Sequence, residues 1–244
     1  MSNPQKRSPG QRALPVLTKL IHGSAPFITT FMLIHLSAPM LANLGGSSLA
    51  SQTMLLGREY YQTSFGEKYL LLGPLVVHSL SGLVKRIVSP SKAPPRPWTS
   101  LLTVTAYSTM IFFLPIHFMT HRALPMNPAP PIYALGPAEL DFEFVKYGLA
   151  TWPWRSWFLY GGLVTGVVLH AVDGQRLLLN TYFLEGMGRI KAAARKRLLA
   201  ISLGLIAVPV LSGIYLMSKE PMMVFSSTVE RFQAIFAQAA PYRL

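Results

Sequence analysis

Cysteine is absent from this 244-residue chain and acid is scarce, with nine Asp and Glu against twenty-two Lys and Arg. The lack of cysteine excludes disulfides, thiolate metal sites, iron–sulfur clusters and covalently attached haem together, and leaves histidine as the nitrogen ligand for any metal. Charged residues of both signs make up only 13% of the chain, well below a soluble domain's usual quarter. No glycine-rich nucleotide loop, metalloprotease motif or nucleophile–base–acid set is visible, so the residues do not point to an enzyme.

What the chain has instead is apolar sequence in long runs. Hydrophobic residues reach 51%, and five stretches attain the roughly 20 residues that cross a bilayer. They cover residues 21–44, 68–86, 98–119, 156–179 and 198–217 and predict an all-α membrane protein with five transmembrane helices. The net charge of +13 does not indicate nucleic acid, because the basic residues flank the spans, where they set topology. Residues 1–19, 85–97 and 173–197 hold fourteen Lys and Arg against two acids, whereas 45–68, 121–156 and 219–244 hold eight against seven. The amino terminus is therefore expected in the cytosol, on a basic face that attracts anionic membrane lipids. Pro4, Pro9, Gly10 and Pro15 interrupt the amphipathic helix that a transit peptide needs. Residues 1–20 are expected to form a disordered cytosolic arm, with the first span as an uncleaved anchor.

The remaining organisation reads as a repeat. Residues 21–88 form a first two-helix unit, 89–97 a proline-rich cytosolic linker and 98–180 a second two-helix unit. Residues 181–217 form a basic segment with the fifth span, and 218–244 an amphipathic tail. Both units enter from the same side, which predicts a parallel duplication whose four helices form a pseudo-twofold bundle. Asn43-Leu44-Gly45-Gly46 is expected to end the first helix in a polar loop reaching Gly66. Residues 141–147 predict a short surface helix, and Trp152, Trp154 and Trp157 an interfacial belt. Ser227-Thr228-Val229-Glu230 reads as a capping box opening a surface helix with Phe225, Val229, Phe232 and Phe236 on one face.

Four histidines lie inside these apolar spans, and an ionisable group at membrane depth is a functional-site hypothesis. His78 and His170 lie eight and six residues before Arg86 and Arg176, roughly 10 Å from the basic face at about 1.5 Å per residue. His35 and His117 lie roughly 24 to 31 Å in by the same count. Each layer pairs equivalent residues of the two halves, as two axial ligands of a haem b would be. The alternatives are hydrogen bonds between helices and proton or ion handling. Gly162, Gly166, His170 and Gly174 recur every four residues, and His78 with Gly82 repeats the offset, so a flat cofactor or a neighbouring helix can approach there. His121, one turn below His117, competes for the outer layer, and His22 falls near the surface. Arg86 and Arg176 suit haem propionates, lipid phosphates or plain snorkelling, and Asp173 is expected to pair with Arg176 along the helix.

The unit containing Ile34-His35-Leu36-Ser37 followed by His78-x3-Gly82-x3-Arg86 resembles the fungal mitochondrial adaptor family, over residues 20–217. The resemblance implies a multi-span protein of the mitochondrial outer membrane acting in lipid homeostasis. It also implies recruitment of a bridge-like vacuolar sorting lipid-transfer protein through a cytosolic proline-x-proline peptide. The amino-terminal arm contains no such peptide; Pro95-Arg96-Pro97 is the cytosolic candidate, with a rigid interhelical spacer as its other reading. In architecture the bundle is similar to the membrane anchors of succinate dehydrogenase and to cytochromes b. A haem-b electron-transfer protein and a lipid scramblase or transporter are therefore the alternative functions.

Overall fold

A computed structural model of the chain describes residues 9–90, 94–184 and 190–243. Helix dominates, no strand occurs among the described residues, and five helices are long and apolar enough to cross a membrane. They cover Arg12–Tyr61, Gly66–Val88, Leu101–Met126, Pro153–Tyr182 and Ala193–Lys219. The chain is an integral membrane protein.

The first helix, α1 (Pro9–Tyr61), departs twice from the sequence reading. It begins at Pro9, so the expected disordered arm is helical over 9–20, while residues 1–8 lie outside the described residues. Proline in a first turn gives up a donor that would be unbonded anyway, and Ala13, Leu14, Val16 and Leu17 carry the apolar run down to the span. The breaker also acts differently. Gly45 and Gly46 leave helical geometry, Gly46 at φ +62°, a region open mainly to glycine, but the chain resumes as helix to Tyr61 where a polar loop was expected.

Prolines explain the shape of the other spans. A π-helical turn at Gly66–Leu72 leads into α2 (Gly73–Val88), which carries Pro74 in its first turn. In the third span α3 (Leu101–Ser108) passes through a π turn at Thr109–Phe113 into α4 (Leu114–Phe118), opened by Pro115. A second π turn, Met119–Ala123, and a 3₁₀ turn, Leu124–Met126, complete it. After α5 (Phe142–Thr151) and α6 (Pro153–Tyr182), the last span repeats the device: α7 (Ala192–Ser202), a π turn at Leu203–Ala207, then α8 (Val208–Lys219) with Pro209. Each proline deprives a carbonyl in the preceding turn of its donor, and the wider π turn takes up the change. The tail folds as α9 (Ser226–Gln238) and a 3₁₀ turn, Ala240–Tyr242.

The chain divides into two compact units, Met1–Leu33 with Glu59–Ser100, and Ile34–Arg58 with Leu101–Leu244. Within the first, Lys85 Nζ donates to Thr18 Oγ1 at 2.7 Å and Phe31 meets Tyr61 edge-on with centroids 5.0 Å apart. Within the second, small residues of α1, Ala38, Ala42 and Ala50, pack with Val164 and Val168 of α6 and Val210, Ile214 and Met217 of α8. Gly213 lies so close to the Pro39 carbonyl that a Cβ there would overlap it. Asn43 ties the same helices, donating to the Pro209 carbonyl at 2.7 Å and accepting from Ser212 Oγ at 2.8 Å.

A cap built from residues 127–151 and the tail completes the second unit. The segment expected as a surface helix is buried: Phe142 to Leu149 of α5 are all shielded. Asp141 caps it by accepting from the Glu143 N–H at 2.9 Å. The tail helix likewise docks on protein, because Phe232, Ile235 and Phe236 pack with Phe144, Tyr147 and Leu159. The expected capping box does not form; α9 starts at Ser226 with no side-chain cap, and Phe225 is 83% exposed. Trp152 joins this aromatic cluster, whereas Trp154 is 88% exposed. Buried Arg58 holds α1 to the cap through the carbonyls of Pro137 and Leu140, the latter at 2.7 Å. A second tie is ionic. Lys146 donates to Glu143 at 2.6 Å and to the Pro221 carbonyl at 2.7 Å, and lies 3.7 Å from Glu220.

Candidate functional site

Of the inner histidines, His78 belongs to the first unit and His170 to the second, and each is held the same way. Helix α2 turns His78 towards α1, where Nδ1 lies 3.1 Å from the Ile21 carbonyl and 3.2 Å from Ser24 Oγ. Ser24 donates its proton to the carbonyls of Leu20 and Ile21, so both neighbours accept and His78 carries its proton on Nδ1. In the second unit His170 Nδ1 approaches the Leu102 carbonyl of α3 at 3.4 Å. A carbonyl only accepts, so this ring too is protonated on Nδ1, and Nε2 keeps the lone pair.

The outer layer is a cluster within the second unit. The His35 and His117 rings meet edge-on with centroids 6.0 Å apart, and His121 stacks on His117 at 4.4 Å. The same one-turn spacing that made His121 a competitor for His117 produces that stack. Across from it α6 supplies Tyr160, whose hydroxyl lies 3.1 Å from His121 Nε2. Phe144 of the cap closes edge-on over His121 at 5.2 Å. A small cavity, about 10 Å³, adjoins the cluster, lined by Phe113, Ile116, His117, Thr120, His121, Leu159, Tyr160 and Tyr242. Burial pushes the Tyr242 hydroxyl pKa up, against the pull of Ser156 and Arg155, so it remains a proton donor.

Imidazole nitrogen is a donor that haem iron takes, and of the two expected pairs only His35 and His117 fall within one unit. The His35 and His117 rings make an edge-on aromatic contact with planes at 77°, and His78 and His170 each bond a carbonyl of their own unit through Nδ1. The cavity beside the outer pair admits a water, not a macrocycle, so a haem there requires side chains to separate. The glycines divide. Gly162 is filled by the Phe113 ring and Gly166 by Thr109, whose Oγ1 would lie 2.8 Å from an added Cβ, so both serve helix packing. Gly82 and Gly174 face open space. Among the described residues, no three His, Asp or Glu side chains are arranged to hold a metal ion.

At the end of α6 the expected Asp173–Arg176 pair forms at 3.2 Å. A second arginine joins it. Arg195 of α7 donates to both Asp173 oxygens, at 2.8 and 2.6 Å, and the carboxylate is 3% exposed. Arg176 is thus engaged by protein, and the partner that sequence reasoning missed came from the basic run after residue 189, where nothing in the spacing marks one arginine apart from the rest. In the first unit Arg86 lies over the Trp98 ring, 3.5 Å from its centroid, and donates to the Arg96 carbonyl at 3.0 Å. Pro97, between these contacts, is exposed, and Pro95, before them, is half-buried.

The described residues define a helical integral membrane protein with a half-buried histidine cluster. No protein-family model, curated protein or solved structure matches the chain.

Proposed function

We propose that this membrane protein acts without catalysis, as an adaptor of the mitochondrial outer membrane in lipid homeostasis or organelle contact, its amino terminus in the cytosol. The sequence resemblance motivates the reading, and the linker geometry is the observation that carries it. Arg86 anchors the Pro95-Arg96-Pro97 segment at the Arg96 carbonyl and at the Trp98 ring that follows it. Prolines fix φ near the polyproline value, so a non-helical Pro-x-Pro stretch anchored at its middle carbonyl is preordered for a partner. A bridge-like lipid-transfer protein of the vacuolar sorting type is the proposed partner. The duplicated bundle belongs to the same reading, supported by the matching bonds of His78 to Ile21 and His170 to Leu102. Tagged protein should co-fractionate with mitochondria, and Pro95→Ala with Pro97→Ala should abolish partner recruitment while leaving targeting intact. Absence from mitochondria, or recruitment unchanged in the double variant, would sink the proposal.

A second reading is a bis-histidine haem-b protein, motivated by the approach of His35 and His117 within one unit. Bound haem would supply one-electron transfer. The purified protein should then show a Soret band that His35→Ala and His117→Ala each diminish, and a colourless protein after haem supplementation rejects the reading.

A further inference from the structure

Thr120 sits in the π turn Met119–Ala123, 1% exposed, and its Oγ1 is buried with no hydrogen-bond partner. An unbonded hydroxyl in a membrane interior is costly, because no bulk water can reach it. The π geometry accounts for its isolation: a threonine in a regular helix returns its proton to the carbonyl four residues back, as Thr18, Thr29, Thr53 and Thr105 do here. Thr120 lines the cavity of about 10 Å³ instead.

A second polar group lines the same space. The His117 ring makes its contacts face to face with His121 and edge-on with His35, and neither is a hydrogen bond. Among the described residues it has no hydrogen-bond partner, yet a neutral imidazole carries one N–H and one acceptor nitrogen. Tyr242 also lines the cavity, its hydroxyl bonded to Ser156. A water needs about one probe sphere of space, roughly 10–15 Å³, and two to four polar partners. The volume excludes anything larger, and no carboxylate lines the space to recruit a cation.

We propose that this cavity is a binding site for one internal water molecule, which bridges the Thr120 hydroxyl and the His117 ring and completes the polar cluster of His121 and Tyr160. Water at one nitrogen of His117 leaves the other for His35 or for a metal, so the site stands apart from both functional readings.

The test is a crystal structure of the full chain from lipidic mesophase at a resolution that shows water, with thermal unfolding of Thr120→Val and Thr120→Ser in nanodiscs. The expected result is density within hydrogen-bond distance of Thr120 Oγ1 and a His117 nitrogen. Thr120→Val, which keeps the shape and removes the hydroxyl, should lower the midpoint by about 2–4 °C, and Thr120→Ser should largely retain it. An empty cavity, or a valine variant as stable as the parent or more so, overturns the proposal. Should the valine variant not fold, the density in the parent decides alone.

Discussion

Glu220 caps a helix that begins 173 residues earlier in the chain. Its carboxylate accepts the Ser47 N–H at 3.0 and 3.2 Å and the Ser47 hydroxyl. The bonds satisfy donors that the break at Gly45-Gly46 leaves exposed, and a negative charge there complements the helix dipole. Lys146 lies 3.7 Å from Oε2 of the same carboxylate, the oxygen that also accepts from the Ser47 hydroxyl.

Acid should loosen this junction. Partial burial raises the Glu220 pKa, but the Ser47 hydroxyl and N–H and the charge of Lys146 outweigh it and hold the group below its ordinary value of 4.5. A depressed folded value means the stabilisation is present above pH 4.5 and is lost as pH falls through the folded value. Glu220→Gln should cost about 1–2 kcal/mol at neutral pH and flatten the acid limb of a midpoint-against-pH curve. An acid limb identical to the parent's would show that other carboxylates carry it.

Two glycines of the fifth span should answer alanine differently. A Cβ on Gly213 overlaps the Pro39 carbonyl and approaches Asn43 at 3.1 Å, so Gly213→Ala should separate α1 from α8 and cost about 3 kcal/mol or more. Gly204 has nothing within 4 Å of its Cβ position, and Gly204→Ala should be neutral or stabilise by up to about 1 kcal/mol. Chemical unfolding in mixed micelles reads both.

Removing the carboxylate of Asp173 leaves two arginines without their partner. A broken, fully buried pair costs about 3–5 kcal/mol, and the partial exposure of Arg176 and Arg195 reduces that to about 2 kcal/mol for Asp173→Asn. Arg195→Lys keeps the charge but loses the two-point fork, so it should cost less than Asp173→Asn. Equal losses would mean that charge contributes nothing beyond geometry.

The glycine stripe of α6 can be tested one turn at a time. Gly166→Ala should destabilise by about 1–3 kcal/mol, since its Cβ meets buried Thr109 Oγ1, whereas Gly174→Ala should leave the melting midpoint within a degree or two. Reversal of that order would mean that something covers Gly174.

Five apolar runs, the break at Gly45-Gly46 and the Asp173–Arg176 pair were all legible in the sequence, because length, glycine conformation and helical spacing are local properties. The role of Glu220 was not, since a cap supplied from a distant segment leaves no trace in the residues around Ser47. Burial of α5 and α9 was missed for a related reason. An amphipathic helix reads the same whether its apolar face meets lipid or Phe144 and Trp152. The outer histidines were placed in one layer by depth, but depth says nothing about azimuth, so the stack with His121 and the bond to Tyr160 emerged only from the fold.

The π turns bear on that azimuth. A π turn spreads more residues around the axis than the 3.6 of an α-helix, so side chains on its two sides run out of phase. His117 and His121 lie beyond the turn at Thr109–Phe113, and their heading is set there as much as by their own positions. Deleting one residue from that turn would preserve hydropathy and nearly all of the span's length. It would also swing both imidazoles by roughly 100°, away from His35 and Tyr160, so the third span tolerates changes of composition far better than changes of count.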